Sequence, residues 1–379
     1  MRCETDVLVI NTGSTSVKVA VYSKAQMDSG SGDAQWSATS SLASVGEDRV
    51  GSIVQLLRSS PIALDAVGVV GHRIVHGADR FDGPVVVDEA VLGEIATLAK
   101  FAPLHNQVGL DGIAAARRVV AGGTAHVAVF DTSFHRTMPA ATVAYGGPYE
   151  WVAQGLRRYG FHGISHEWAA QRSAQLLQRP LAELRLVTCH LGGGCSIAAV
   201  DGGRSVDTTM GFTPLDGVVM ATRSGSVDPG LFIHLLRTGT SVDSLEEILE
   251  RQSGLLGLSG VSADLRNVVA ARDTGNERAR LAIDVFVHRV AAGVGSMVAA
   301  LGGIDALVFT GGIGEHSDEI RSRVAERFAF LGARIHHEVN RVAVGDIDVS
   351  ALDADVRVVL IASHEELAIA RSAHLLVFT

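Results

Sequence analysis

A chain of 379 residues is longer than one hydrophobic core comfortably fills, and two domains are expected. Hydrophobic residues make up 47% and charged residues 19%, which excludes a disordered chain; the net charge of −9 speaks against a nucleic-acid binder, which needs a basic face. The three cysteines lack CxxC spacing, so neither a disulfide framework nor a zinc cluster is expected, and the setting reads as reducing and cytoplasmic.

In chain order, VINTGSTSVKVAVY (Val9 to Tyr22) reads as a β-hairpin, entered directly from an N-terminus without a secretion-signal pattern. A looser strand and loop are expected from Gln26 to Gly46, and a strand at Ala66–Gly71 that leads into HRIVHG. The short strand Val85–Val87 precedes a predicted helix from Asp88 to Phe101, and a second helix follows APLHN over Gln107–Val120. AHVAVFDTSFH is a continuous apolar run, which suits a strand covered on both faces, ending in a polar loop at Asp131. From Tyr145 the chain is loop-rich, with Ser165 as the expected cap of a helix to Gln178.

VTCHLGGGCSIAAV (Val187 to Val200) repeats the outline of the first hairpin. Laid over it without a gap, Asn11 falls on His190, Gly13 on Gly192 and Val21 on Val200. Helices are expected at Pro229–Leu236, Leu245–Gln252 and Asn276–Leu301. The apolar stretch Val290–Ile304 is shorter than the ~20 residues of a membrane span and reads as part of a buried helix. The strand Ala306–Thr310 leads into a double-glycine loop and a further helix to Phe330, and the tail reads as strand, polar turn, then helix or strand. The β-rich then βα-repeating order occurs twice, which favours an internal duplication over two ordinary hairpins whose glycines merely supply positive φ.

Several residues carry chemistry. Backbone N–H groups exposed at glycine turns bind anions, and two such turns suit a phosphate chain, with Lys18 leaving the second strand near the first turn. No GxxxxGK[ST] is present, nor a GxGxxG between strand and helix, so neither a P-loop enzyme nor a Rossmann dehydrogenase is expected. FTGGIGEHS is either a nucleotide-contact loop or an ordinary strand-to-helix turn. Arg73 and Arg223 lie among apolar or small residues, where a guanidinium needs either a carboxylate or phosphate ligand or a structural ion pair. His72/His76 and His162/His166 have HxxxH spacing but do not sit in a helical context, so metal ligation is disfavoured; His162, beside Arg157 and Arg158, better suits stabilising transferred negative charge. Asp131, at a strand end, either orients a ligand or Mg²⁺ or caps its loop, and Glu365 and Glu366 follow VVLIAS in the same manner.

Together NTGSTSVK, GHRIVHG, APLHN, FDTSFH, RRYGFHGISH, CHLGGGCS, MGFTPLDGVVMATRSGSVDP, SADLR, FTGGIGEHS and SHEEL resemble, in order and over nearly the whole chain, the acetokinase family of the actin/sugar-kinase/Hsp70-like ATPase superfamily. The resemblance implies an α/β, two-domain duplicated actin-like ATPase (ribonuclease H-like) fold with ATP in the interdomain cleft, with residues 1–146 and 366–379 as one domain and 147–365 as the other. It implies Mg²⁺-dependent transfer of the ATP γ-phosphoryl group to acetate, giving acetyl phosphate and ADP, with Mn²⁺ able to substitute, in a cytoplasmic homodimer without nucleic-acid or membrane partners. Propionate or a broader range of short-chain acids is the alternative acceptor. A regulator or scaffold of the same fold would not need Arg73, Asp131, His162 and Arg223 together, and a sugar kinase would want a carboxylate base for a hydroxyl acceptor.

Carried over motif by motif, the resemblance makes Asp131, His162 and Arg223 catalytic and gives Arg73 the substrate carboxylate. Val75, Leu104, Phe161 and Pro214 would form the acyl-methyl pocket, and Asn11 and Glu365 would hold Mg²⁺. Lys18, His190, Leu191, Gly192, Gly193 and Gly194 would approach the phosphates; Asp264, Leu265, Arg266, Gly312, Ile313, Gly314, Glu315 and His316 would line the adenosine side. The chain departs from the family pattern in HLGGG for HLGNG (Gly193), GIGEH for GIGEN (His316), HEE for NEE (His364) and MATRSG for MGTRSG (Ala221), all next to functional positions. A carboxylate is ionised at neutral pH and needs no general base, so Asp131 is expected to orient an arginine or a Mg²⁺-bound water.

Overall fold

The computed structural model describes residues 6–13, 16–30, 32–41, 48–98 and 103–379, the side chains of residues 103–105 excepted. The chain divides into two compact units, one of Met1–Arg136, Gly163–Trp168 and His364–Thr379, the other of Thr137–His162 and Ala169–Ser363.

The first unit is built on strands β1 (Val7–Thr12), β2 (Ser16–Tyr22), β3 (Trp36–Ser41), β4 (Val69–Ile74), β5 (Val85–Val86) and β6 (Ala125–Phe130), in the sheet order β3-β2-β1-β4-β6-β5. β1, β4 and β6 run parallel, and β2, β3 and β5 are antiparallel to their neighbours. β1 is buried at every position, as a strand covered on both faces must be. On one face Leu8, Ile10, Val19 and Val70 pack with Ile53 and Leu57 of the helix Arg49–Arg58 and with Ala115 and Ala116. The helix Glu365–Phe378 packs against β1, β4 and β6.

The second unit has β7 (Arg185–Leu191), β8 (Cys195–Asp201), β9 (Arg204–Thr208), β10 (Ala306–Thr310), β11 (Ile347–Asp348) and β12 (Arg357–Leu360). Read from β9, its sheet order is β9-β8-β7-β10-β12-β11, with the same alternation of parallel and antiparallel pairs as the first. Even the short antiparallel edge strand that precedes the last parallel strand recurs. Chance does not readily repeat six strands in one order and direction, so the expected duplication is present. The long helix Glu277–Leu301 buries Ala279, Ala282, Ile283, Phe286, Val287, Val290, Val294 and Met297, a helical stripe that packs against β8. Among the described residues it is the one helix long and apolar enough to cross a membrane, and this stripe marks it as the core helix of its unit.

The structure corrects several local readings. Asn11 pairs with Lys18, whereas His190 pairs with Ser196, because residues 13–16 lie between the paired ends of the first hairpin and only 192–194 between those of the second. The ungapped overlay therefore fails after the turn: Val21, paired with Leu8, corresponds to Ala199, paired with Val187, and not to Val200. APLHN contributes to the helix Pro103–Ala116, where proline is tolerated at the first helical position. The helix expected to be capped at Ser165 runs from Gly163 to Leu176, with left-handed His162 before it. A short helix, Lys24–Ser29, opened by a Ser23/Gln26 capping box, takes up the start of the stretch where strand and loop are expected, and the strand follows as β3. The helix expected to reach Phe101 is described from Glu89 to Leu98; Phe101 lies outside the described residues.

Candidate active site

The first unit gathers charge at the ends of β1, β4 and β6. Arg73, near the end of β4, donates from Nε to Asp131 Oδ1 at 3.0 Å and from Nη2 to Asp131 Oδ2 at 2.7 Å. Its Nη1 donates to Asn11 Oδ1 at 3.0 Å and lies 3.7 Å from Glu365. β4 and β6 are parallel neighbours with Arg73 beside Val129, so Asp131 follows just past the end of β6. Burial works against the charge on Arg73, but Asp131, Glu365 and Glu366 outweigh it and hold its pKa above the ordinary value. Asn11 uses its amide nitrogen to bridge Glu365 (3.1 Å) and Glu366 (2.8 Å), and Lys18 lies 3.7 Å from Glu366.

Glycine is required at one nearby position. Gly163 N–H donates to the Asp131 carbonyl at 2.9 Å, and a Cβ there would stand 2.2 Å from that oxygen. The close approach fixes the loop that carries Asp131.

The expected Mg²⁺ ligands are only partly arranged as ligands. Among the described residues no group of three or more His, Cys, Asp or Glu is placed to hold a metal ion. The carboxylates of Glu365 and Glu366 are hard oxygen donors and fit Mg²⁺ chemically. Asn11 turns its nitrogen toward them and its oxygen toward Arg73, so in this arrangement it positions the carboxylates and does not offer them a companion oxygen. Glu366 was the less obvious partner in the sequence, although it adjoins Glu365.

The second unit assembles a different set around the glycine turn between β7 and β8. His162 adopts φ 57°, ψ 24°, a conformation sparsely used by residues other than glycine and one that concentrates at functional sites. Its Nδ1 is 2.8 Å from Ser196 Oγ, and its ring stacks on His190 with centroids 4.3 Å apart. A Cβ on Gly194 would come within 3.1 Å of His162 Cε1 and Nε2 and 3.6 Å of Arg223 Nη1, so this glycine lets the imidazole and the guanidinium meet over the turn. Arg223 is anchored by Glu250 at 3.1 Å and donates to the Pro214 carbonyl at 3.3 Å. Ser196 and Glu250 were not found from the sequence, because neither lies in a motif that marks its partner.

Beside this turn lies a cavity of ≈ 820 Å³, within the range of small-molecule sites. It brings together Gly192, Gly193, Asp264, Leu265, Arg266, Gly312, Ile313 and His316 from distant parts of the sequence, with Ala221 also in its wall. GGIGEH is not a loop but a short helix, Gly311–His316, and Ser317 caps the next one. Leu191, Gly314 and Glu315 do not line this cavity. Leu191 is buried in β7, while the carbonyls of Gly314 and Glu315 accept from the buried guanidinium of Arg321, which also donates to Asn340. These residues support the wall from behind. Asp264 and Arg266 pair with each other (Nη2 to Oδ2, 2.6 Å), and Arg266 is largely exposed.

Of the expected acyl pocket, Val75 is buried in the first unit, and Phe161 and Pro214 are buried in the second. The side chain of Leu104 lies outside the described residues. His364 stands edge-on to Trp168, with centroids 5.9 Å apart, at the start of the helix that carries Glu365 and Glu366.

Residues 6–371 match the family described as the Acetokinase family. An acetate kinase of Nostoc punctiforme is 53% identical over 309 residues, 81% of this chain and 76% of that protein. An acetate kinase of Trichormus variabilis is 44% identical over 98% of this chain and 99% of its own length. Among solved structures, the acetate kinase of Porphyromonas gingivalis superposes with a TM-score of 0.88 at 33% identity, covering 98% of this chain and 99% of that one. A propionate kinase from Francisella tularensis gives a TM-score of 0.87 at 34% identity over the same shares of the two chains.

Proposed function

Because this chain belongs to the acetokinase family, we propose that it transfers the γ-phosphoryl group of ATP reversibly to acetate, giving acetyl phosphate and ADP, with the residues above in the following roles. The chain is a phosphotransferase with a carboxyl acceptor and ATP as co-substrate. The observation that supports a carboxylate acceptor most directly is the commitment of both Asp131 oxygens to Arg73. A hydroxyl acceptor requires a base to take its proton, and a carboxylate does not.

An acetate oxygen forms the new bond to the γ-phosphorus while the bond to the bridging oxygen of ADP breaks and its electron pair leaves with ADP; no proton moves. The obstacle is repulsion between anions, so catalysis is placement and charge stabilisation. Arg73, oriented by Asp131 and Asn11, receives the acceptor carboxylate. Arg223, anchored by Glu250, and His162, held by Ser196 and His190, stabilise charge on the transferred phosphoryl group. Glu365 and Glu366 would hold Mg²⁺, whose charge offsets that of the phosphates; Mn²⁺ has the same ligand preference. Lys18 and the 192–194 turn approach the phosphates and the adjoining cavity takes the nucleoside, while the acyl-methyl role of Val75, Phe161 and Pro214 is carried over from the family motifs.

The working assembly we propose is a cytoplasmic homodimer, without nucleic-acid or membrane partners. Its support is the helix Pro229–Arg237, which buries none of its residues and leaves Leu231, Ile233 and Leu236 exposed. Light scattering at the monomer mass of 39.7 kDa would contradict it.

Hydroxylamine trapping of the acyl phosphate tests the reaction, with MgATP and acetate, propionate or butyrate in turn. Strong hydroxamate formation from acetate is expected. A signal confined to a longer acid would move the assignment to the second reading, propionate, which the similarity to the Francisella enzyme favours. ADP release with glycerol or glucose and none with any acid would overturn the carboxylate acceptor.

A further inference from the structure

The wall of the 820 Å³ cavity carries a residue with a fixed hydrogen-bonding sense. His316 Nδ1 lies 2.8 Å from the carbonyl oxygen of Gly312, one helical turn earlier. A carbonyl oxygen can only accept, so Nδ1 carries the hydrogen. In the neutral ring Nε2 is then left with its lone pair, an acceptor and not a donor. The ring is exposed at the cavity wall, and among the described residues no protein group donates to Nε2.

The nearest carboxylate has the same sense. Asp318 lines the cavity next to His316 and brings a carboxylate, which only accepts, while the carboxylate of Glu319, also in the wall, is taken up by Arg272 and Arg323. The guanidinium in this wall, that of Arg266, is folded onto Asp264 through Nε and Nη2. This end of the cavity therefore offers acceptors to a ligand, while its cation is engaged elsewhere.

We propose that His316 determines base specificity. Its Nε2 accepts a hydrogen bond from the exocyclic amine of a 6-aminopurine, and the chain thereby discriminates against 6-oxopurine nucleotides, whose O6 would face a lone pair. The inference rests on the reading that this cavity receives the nucleotide. An asparagine at this position, as the family pattern has it, presents both a donor and an acceptor and can turn to suit either base. A histidine pinned at Nδ1 cannot.

The test compares adenine, hypoxanthine and guanine nucleotides in the wild type, His316→Asn and His316→Phe. Hypoxanthine shares O6 with guanine but lacks its 2-amino group, so it separates reading at C6 from crowding at C2. Rates with MgATP, MgITP and MgGTP are taken at saturating acetate and pH 8, and binding of ADP, IDP and GDP is measured by calorimetry. The wild type is expected to favour adenine over both 6-oxopurines by about tenfold, the order a single misdirected hydrogen bond gives at an accessible site. In His316→Asn the ratio falls to within about twofold by gain of the 6-oxopurines, and in His316→Phe by loss of adenine affinity. Equal use of ATP and ITP by the wild type overturns the proposal, as does an unchanged ratio in either folded variant. The two readings fail separately: absent hydroxamate with any acid defeats the reaction, while the calorimetric ratio still reports on His316.

Discussion

Whether Asp131 works through Arg73 or on the substrate can be decided by a double-mutant cycle. The pair is bidentate, with contacts of 3.0 and 2.7 Å, and both side chains are largely buried. Removing one partner of a buried ion pair costs about 3–5 kcal/mol, because the other charge is left uncompensated. In Asp131→Asn, Arg73 keeps Asn11 and the weaker 3.7 Å contact to Glu365, so the loss lies at the lower end. If about 3 kcal/mol of this appears as misplacement of the guanidinium in the transition state, kcat/KM for acetate falls by about 10²-fold. Arg73→Gln removes the clamp itself and should cost about 10³-fold.

The double variant is decisive. An orienting Asp131 has nothing left to orient once Arg73 is gone, so Asp131→Asn/Arg73→Gln should be no slower than Arg73→Gln alone, a coupling of about 2–3 kcal/mol. A proton-abstracting Asp131 would lose its contribution independently, and the two factors would multiply to about 10⁵. The assay is hydroxamate formation at saturating MgATP, with far-UV circular dichroism as the control for folding. Multiplying losses, or an acid limb in the wild-type pH–rate profile that disappears in Asp131→Asn, would refute the orienting role.

Three further outcomes follow from local geometry. Gly194→Ala drives a methyl to 3.1 Å from the His162 ring, which Ser196 and His190 prevent from yielding, so kcat should fall about tenfold or more with little change in melting temperature; wild-type turnover would separate Gly194 from the placement of His162. Gly193→Asn restores the family residue where an added Cβ meets nothing within 4 Å, and it should melt within about 2 °C of the wild type with an equal or lower KM for ATP; a marked loss of stability would show that the turn does not have this room. Burial lowers the pKa of His72 well below its ordinary value and that of His126 to about 4, and the two rings meet at 2.8 Å. Both are neutral when folded and take up protons on unfolding below pH ~6.5, so their contribution is complete above that pH and is lost as pH falls toward 4. His126→Gln should flatten the fall in melting temperature between about pH 6.5 and 4, and coincident curves for variant and wild type would rule the pair out as its source.

The parts of the fold legible in the sequence were those set by local pattern. Continuous apolar runs marked β1, β6, β7 and β10, and glycine turns marked the hairpins. Register was not legible, because both strands of each hairpin are buried at nearly every position, so no single apolar face pins the pairing. GGIGEH was read as a loop because glycine is a poor helix former, yet tertiary contacts override that preference: Arg321, buried behind it, takes up the carbonyls of Gly314 and Glu315. Asp131 and Arg73 were each identifiable, but their pairing depends on β4 and β6 being neighbours, which no local signal encodes.

The corrected register also explains how one duplicated scaffold carries two kinds of chemistry. Asn11 corresponds to His190, and Lys18, opposite Asn11, corresponds to Ser196, opposite His190. Continuing the β1–β4 register by one residue sets Arg73 beside Asn11, as Thr310 is set beside His190. The same three sheet positions thus hold Asn, Lys and Arg in one unit and His, Ser and Thr in the other. In the first, the cations draw Asp131, Glu365 and Glu366 around them, a set suited to an anionic acceptor and a divalent ion. In the second, the small hydroxyl of Ser196 leaves room for His162 to lie over the turn, and the side chains nearest Gly194 are His162 and Arg223. Exchanging Lys18 and Ser196 between the units should therefore damage both sets, a stronger consequence than either substitution has on a surface strand.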